Sequence, residues 1–114
     1  MLPKGNRVRK TREFERVFSS RLSVFGTYVR ISYSPGIKNT TRCAVIVSTK
    51  ISKKAVIRNK IRRRARVVVG KLMPSLTPPL DLVITCLSKS AIVSYKDFEA
   101  DIKNSLQKIF KKTL

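Results

Sequence analysis

Short apolar runs separated by turn residues predict a sheet of three or four strands. Residues 23–33 are strand-like, with side chains alternating between two faces in the segment TYVRISY, and Gly26 can divide them into two strands. Residues 43–49 and 81–87 are nearly continuous apolar runs, which is typical of buried central strands. The chain between these runs therefore has to connect strands of one sheet.

Helical spacing of apolar residues predicts a helix near each end of the chain. Residues 11–20 have one apolar face and begin with Thr11, a residue that caps helices well. Ser94, followed three residues later by Asp97, resembles a capping box that opens the last helix. The apolar positions are Phe14, Val17 and Phe18 in the first helix, and Phe98, Ile102, Leu106, Ile109 and Phe110 in the last.

Residues 54–73 predict a third helix, with a narrow apolar stripe and a broad cationic surface. The stripe fits an arc of about 80° on an α-helix, so the helix can dock on a sheet and expose its cations. The stripe consists of Ile57, Ile61, Ala65, Val68 and Leu72, and the polar surface of Arg58, Asn59, Lys60, Arg62, Arg63, Arg64 and Arg66. The order of elements predicts an α+β sandwich, with helices on one sheet, in a single domain over residues 1–114.

The charge of the chain is strongly positive and unevenly distributed. Lys and Arg number 26 against six acidic residues, a net charge of +20. From Arg16 to Leu80, 65 residues contain 15 cations and no acid. Such a surface repels itself unless a polyanion neutralises it, so nucleic acid is the expected partner. An anionic membrane surface is a weaker alternative, because the apolar stripe of the basic helix is needed for the core.

The residues that usually perform catalysis are scarce. The chain has no His to activate a nucleophile, and only Asp97, Glu99 and Asp101 are close in sequence. These three acids lie where carboxylates interact favourably with the positive end of a helix dipole, so we expect their role to be structural. We therefore expect neither catalytic residues nor a metal site in this chain. Cys43 and Cys86 lie in apolar runs and are expected to be buried thiols of a cytosolic protein. No apolar run is long enough for a transmembrane helix, and the charged amino end does not resemble a secretory signal.

The string KKAVIRNKIRRRAR resembles the signature of the bacterial ribonuclease P protein family: an apolar lead-in, Arg-Asn-Arg, an apolar residue, then Lys/Arg-Arg. The opening LPKGNRVRKTREFERVF, with Phe14 and Phe18, and the segment VSTK are also similar to the family pattern. Two positions depart from it, because Lys60 replaces the second Arg and Thr49 replaces a usual Lys. The link through residues 52–54 is also one residue longer than in many members.

The resemblance implies a fold and separate roles for an RNA and the protein. The fold is α-β-β-β-α-β-α, with a four-stranded sheet and a left-handed crossover, which the sequence could not have indicated because right-handed crossovers dominate. A catalytic ribonuclease P RNA, with Mg²⁺ held mainly by that RNA, cleaves the 5′ leader from precursor tRNA. The protein binds both RNAs in the cytoplasm, needs no other protein partner, and has no membrane role.

The resemblance also implies which residues bind. Contacts to the catalytic RNA are expected from Lys53, Lys54, Arg58, Asn59, Lys60, Arg62, Arg63 and Arg66, with further basic contacts from Arg7, Arg9 and Lys10. A cleft for the single-stranded leader is expected at Phe14, Phe18 and a strand aromatic, Tyr33, with Tyr28 as the alternative because Gly26 leaves the strand register open. Core packing is the alternative for the two phenylalanines, and plain surface exposure is the alternative for Asn59. A ribosomal or general structured-RNA-binding protein remains the alternative function.

Overall fold

The computed structural model describes residues 11–36, 38–87, 90 and 93–110 of the chain. Within them lie three helices and four strands in the predicted order, and a 3-10 turn, Met73–Ser75, follows the second helix. This confirms the α+β architecture. The elements are α1 (Thr11–Ser19), β1 (Leu22–Phe25), β2 (Val29–Pro35), β3 (Arg42–Ile46), α2 (Ala55–Leu72), β4 (Leu80–Cys86) and α3 (Tyr95–Ile109).

The four strands form one sheet in the order β1-β2-β4-β3. As predicted, the chain divides at Gly26, and β1 and β2 form an antiparallel hairpin around it. Strand β4 pairs antiparallel with β2 and parallel with β3. Because parallel neighbours need a long crossover, α2 makes the connection from β3 to β4. The left hand of this crossover stays a prediction.

Helices α2 and α3 cover one face of the sheet, which we call the core face. Its strand residues alternate with those of the other face, as the pleat requires. The predicted stripe of α2 packs here, since Ile61, Ala65 and Val68 are buried against the strands. Buried strand residues of the core face are Val29, Ile31, Cys43, Val45, Leu82, Ile84 and Cys86.

Helix α1 packs on the opposite face, which we call the α1 face. The strand register arranges this face in three rows that run across the sheet. Burial decreases from the row under α1 to the far row. The covered row is Ser34, Asp81 and Arg42; the middle row is Ser23, Ser32, Val83 and Ala44; the open row is Phe25, Arg30, Thr85 and Ile46.

Charged side chains attach α1 to the covered row. Asp81 is fully buried and accepts two hydrogen bonds from Arg42, at 3.0 Å from Nε and 2.7 Å from Nη2. From α1, Arg16 donates to Asp81, and Glu13 accepts from Arg42. The hydrogen bonds to Asp81 raise the pKa of Arg42 above its ordinary value. This ionic network fixes the helix at one end of the sheet face.

The two thiols lie in the core and are not joined by a disulfide, as predicted. Burial raises the pKa of both Cys43 and Cys86 to about 12. Both thiols are therefore protonated, and unreactive as nucleophiles, at neutral pH. Among the described residues, no helix is both long enough and apolar enough to cross a bilayer.

Candidate nucleic-acid interface

The exposed side of α2 is a continuous cationic surface. Lys60 and Arg63 are exposed, and Arg58, Arg62 and Arg66 are half-buried along its flanks. The first turn of α2 contains no acidic residue. Because like charges three and four residues apart repel, this helix carries an electrostatic cost that a bound polyanion removes.

Local hydrogen bonds orient two of these cations. Arg58 donates from Nη1 to the carbonyl oxygen of Ser52 at 2.9 Å, which ties it to the loop before the helix. Arg62 donates from Nη1 to Oδ1 of Asn59 at 2.7 Å. Asn59 is exposed, and it holds a guanidinium group in place on the helix surface. A pre-oriented planar guanidinium suits bidentate contact with phosphate.

Lysines extend the surface beyond the start of α2. Lys53 and Lys54 are exposed, and Lys54 is the N-cap residue, whose backbone N–H donates to Oγ of Ser52 at 3.2 Å. No side chain caps this helix start. The positive end of the helix dipole thus lies beside two cations, and that combination favours an anion at this place.

Two other cations of α2 serve its packing against α3. The guanidinium of Arg64 lies over the ring of Tyr95, 5.8 Å from its centroid. Lys71 lies 3.6 Å from a carboxylate oxygen of Glu99. The helix therefore has a side that faces α3, which includes Arg64, and a separate side that is available to a ligand.

The two phenylalanines of α1 are not core residues. Phe18 is 45% exposed and Phe14 is half-buried, whereas Val17 is fully buried. Phe14 and Phe18 are each two positions from Arg16, about 160° around the helix, so both lie on the flank nearly opposite Arg16. Of the three residues on the predicted apolar face, only Val17 is fully buried.

The prediction for the strand aromatic is wrong. Tyr33 pairs with Leu82 and packs against the core cluster, so it lies on the core face. Tyr28 precedes β2 and also packs against that cluster. Neither tyrosine is therefore placed on the open row. The alternation in β2 carried the signal, because Tyr33 is in phase with the apolar Val29 and Ile31.

Phe25 is the aromatic of the open row, and it is not among the residues predicted from the sequence. Its side chain is 59% exposed, and the guanidinium of Arg30 on the neighbouring strand lies 5.3 Å from its ring centroid. Arg30 is also exposed. An exposed aromatic with a cation beside it can stack a base and contact a phosphate.

The described acidic residues do not form a metal site. No group of three potential ligands, counting Cys, Asp and Glu, occurs within the described part of the chain. Asp81 binds two arginines, and Asp101 accepts from the backbone N–H groups of Thr27 and Tyr28, each at 2.8 Å. These residues do not fit a resident Mg²⁺, which needs free oxygen ligands. The predicted basic contacts Arg7, Arg9 and Lys10 lie outside the described residues.

Comparisons with known proteins agree with this architecture. The solved structure of the Staphylococcus aureus RNase P protein matches with a TM-score of 0.84 at 23% identity, over 97% of this chain and 100% of that one. The RNase P protein from Thermotoga maritima matches with a TM-score of 0.81 at 22% identity, over 90% of this chain and 96% of that one. These two similarities show the fold.

Sequence comparison identifies the family. The ribonuclease P protein component of a Pseudanabaena species is 33% identical over 109 residues, which cover 95% of this chain and 94% of the relative. A family model described as Ribonuclease P matches residues 2–110. The chain therefore belongs to the ribonuclease P protein family.

Proposed function

We propose that this chain binds the catalytic RNA of ribonuclease P through the cationic side of α2. The observation that carries the proposal is the joint exposure of Lys60 and Arg63, with Arg58 and Arg62 held by local hydrogen bonds beside them. Such side chains bind phosphates through charge and geometry, and they release counterions when they do so. Lys53, Lys54, Asn59 and Arg66 extend the same surface.

The single-stranded 5′ leader of precursor tRNA, in this proposal, lies on the α1 face. Phe14 and Phe18 border it from the helix, and Phe25 and Arg30 contact it from the open row. Unpaired bases stack on aromatic rings for about 1–3 kcal/mol each, while cations follow the backbone. The ionic network holds α1 at the covered row and so leaves the open row accessible to RNA.

The hydrolysis itself is assigned to the RNA and the Mg²⁺ that it binds. Supplied by the RNA, Mg²⁺ would provide the activated water and the charge neutralisation that phosphodiester cleavage requires. The described residues of this chain bind and orient the RNA and neutralise the charge of its phosphates. Such a surface raises the affinity for substrate and weakens the repulsion between RNA phosphates. The buried, unpaired thiols are consistent with a cytoplasmic location.

A cleavage assay with separated components tests the proposal. Precursor tRNA is incubated with the cognate RNA alone, with the chain alone, and with both, at low Mg²⁺, where phosphate repulsion is least screened. We expect cleavage by the combination to exceed cleavage by the RNA alone, and no cleavage by the chain alone. Cleavage by the RNA-free chain would contradict the proposal.

Sequencing the RNA bound to the chain in cells tests the choice of partner. A single dominant structured RNA together with tRNA precursors is the expected result. Recovery of ribosomal RNA instead would favour the ribosomal or general RNA-binding alternative. Arg58→Ala and Arg62→Ala should weaken assembly with the RNA, whereas Arg64→Ala, on the side that faces α3, is the matched control.

A further inference from the structure

A groove lies between the β1–β2 turn and the last turns of α3. Phe25, Gly26 and Thr27 form one wall, and residues of α3 form the other. The α3 residues that line it are Asp101, Asn104, Ser105, Gln107 and Lys108. The groove is separate from the cationic side of α2 and is not one of the predicted binding sites.

The groove is continuous with the open row through Phe25. This side chain lines the groove, and its ring also carries the guanidinium of Arg30. An RNA strand that stacks on the open row can therefore pass over the β1 edge of the sheet and enter the groove. Because Phe25 is 59% exposed, it can contact a base at this crossing point.

Close packing holds the groove in shape. Both carboxylate oxygens of Asp101 accept hydrogen bonds from the turn, from the N–H groups of Thr27 and Tyr28. A Cβ atom on Gly26 would lie 2.5 Å from Asp101 and 2.7 Å from Oγ of Ser105, so only glycine allows this approach. The Asp101 carboxylate is thus committed to the turn, and the groove is formed before a ligand arrives.

The remaining groups in the groove suit a nucleotide. Asn104 and Gln107 are exposed and one helical turn apart, and side-chain amides can donate to and accept from base edges. Lys108 lies with Nζ 3.4 Å from the carbonyl oxygen of Phe25 and has further donors for a phosphate. An aromatic ring, two amides and a lysine together match one nucleotide of an unpaired strand.

We propose that this groove binds one nucleotide of the precursor-tRNA leader, as a subsite beyond the α1 face. The inference rests on the proposed function, because it requires that the leader lies on the open row. The base stacks on Phe25, the amides of Asn104 and Gln107 contact its edge, and Lys108 contacts its phosphate. The subsite adds specificity at one leader position.

Abasic substitution along the leader tests the subsite in the reconstituted holoenzyme. Precursor tRNAs with one abasic nucleotide at successive leader positions are compared by their dissociation constants. With the unmodified chain, we expect losses at the positions that the α1 face and the groove contact. With Phe25→Ala, an abasic nucleotide at one leader position should no longer weaken binding. The affinity of this variant for precursor with an intact leader should be about 5- to 150-fold lower. The double variant Asn104→Ala/Gln107→Ala should also abolish the effect of an abasic nucleotide at that position. Its affinity for precursor with an intact leader should be about 5-fold lower.

Two variants serve as matched controls. Leu22→Ala removes a 44% exposed side chain from the same strand, but Leu22 pairs with Tyr33 and lies on the core-face side. Lys103→Ala removes a charge from the same helix on the side that faces Lys71 and Leu72. Both should keep the leader profile of the unmodified chain, and Lys108→Ala should not.

The possible outcomes separate the two proposals. A clear leader profile that neither Asn104→Ala/Gln107→Ala nor Lys108→Ala alters would overturn the subsite and leave the leader contact on the α1 face in place, because these side chains line the groove alone whereas Phe25 belongs to the groove and to the open row. The subsite is also overturned when both variants act at the position that Phe18→Ala affects. A flat profile with the unmodified chain would contradict the proposed function and the subsite together.

Discussion

Two ends of the same sheet face use arginine in opposite ways. At the covered row, Arg42 is 4% exposed and binds the buried Asp81 and Glu13. At the open row, Arg30 is exposed and lies over Phe25, with no carboxylate at salt-bridge distance in the described structure. Where an acid is present, the guanidinium is part of the fold, and where it is absent, the guanidinium is available to a ligand.

This difference shows how few acids are required to build the fold. The residues that hold α1 on the sheet include two of the six acids of the whole chain, and a third, Asp101, fixes the β1–β2 turn. The acid-free stretch from Arg16 to Leu80 contains 15 of the 26 cations, among them the exposed Lys60 and Arg63. On this sheet face, an acid partner therefore distinguishes the structural arginine, Arg42, from the exposed one, Arg30.

The largest loss of folding stability is expected when the ion pair of the covered row is removed. Asp81→Asn leaves Arg42 buried without its charged partner, and removing one member of a buried pair costs about 3–5 kcal/mol. Urea unfolding measures the loss in free energy of unfolding. Asp97→Asn, at an exposed position of α3, is the control and should cost about 1 kcal/mol or less. Equal losses in both variants would contradict the structural role of Asp81.

Adjacent residues of α1 separate core packing from RNA contact. Val17→Ala removes fully buried methyl groups and should cost about 2 kcal/mol of folding stability. Phe18→Ala should cost less than about 1 kcal/mol of stability, because Phe18 is 45% exposed, but about 1–3 kcal/mol of precursor binding. Thermal unfolding and precursor affinity are measured for both. A Phe18→Ala chain that unfolds at ordinary temperature would show that Phe18 is a core residue.

A smaller effect is expected from the open row. Arg30→Ala should leave stability within about 0.5 kcal/mol, because the side chain is exposed. Loss of one phosphate contact should lower the slope of log affinity against log salt by about 1. Titrations of precursor tRNA at several salt concentrations measure this slope. Lys96→Ala, an equal charge loss on α3, should leave the slope unchanged, and an equal change in both variants would contradict a specific contact.

At neutral pH the smallest effect is expected on the core face, where the thiols are buried and protonated. Burial raises the pKa of Cys43 and Cys86 to about 12, while an exposed thiol titrates near pH 8.5. Because folding favours the neutral thiol, this contribution to stability is complete below about pH 8.5 and is lost as pH rises toward 12. Iodoacetamide at pH 8 should label the thiols only after unfolding. Rapid labelling of the native chain would contradict their burial.

Local patterns predicted much of this molecule. The apolar stripe of α2 and the division of the hairpin at Gly26 follow from periodicity and turn chemistry, and both are observed. The Ser94 cap also follows, since its side chain accepts a hydrogen bond from the N–H of Asp97 at 3.2 Å. Each of these features depends on residues close together in sequence, which is why sequence patterns reveal them.

Contacts between distant residues could not be predicted in this way. Asp101 is expected to interact with a helix start, but it lies beyond the first turn of α3, and its carboxylate accepts a hydrogen bond from the N–H of Thr27, 74 positions away. Arg42 and Asp81 are 39 positions apart, and nothing near either residue indicates their pairing. Tyr33 is a different case, because its phase with Val29 and Ile31 in β2 already indicated the core face.

The affinities of the holoenzyme for precursor and for mature tRNA show whether this chain acts by binding the leader. Both dissociation constants are measured with the cognate RNA alone and with the RNA plus the chain. We expect the chain to tighten binding of leader-bearing precursor tRNA and to leave the affinity for mature tRNA nearly unchanged. An equal gain for both substrates, or none for either, would contradict a protein that contributes to catalysis by binding the leader.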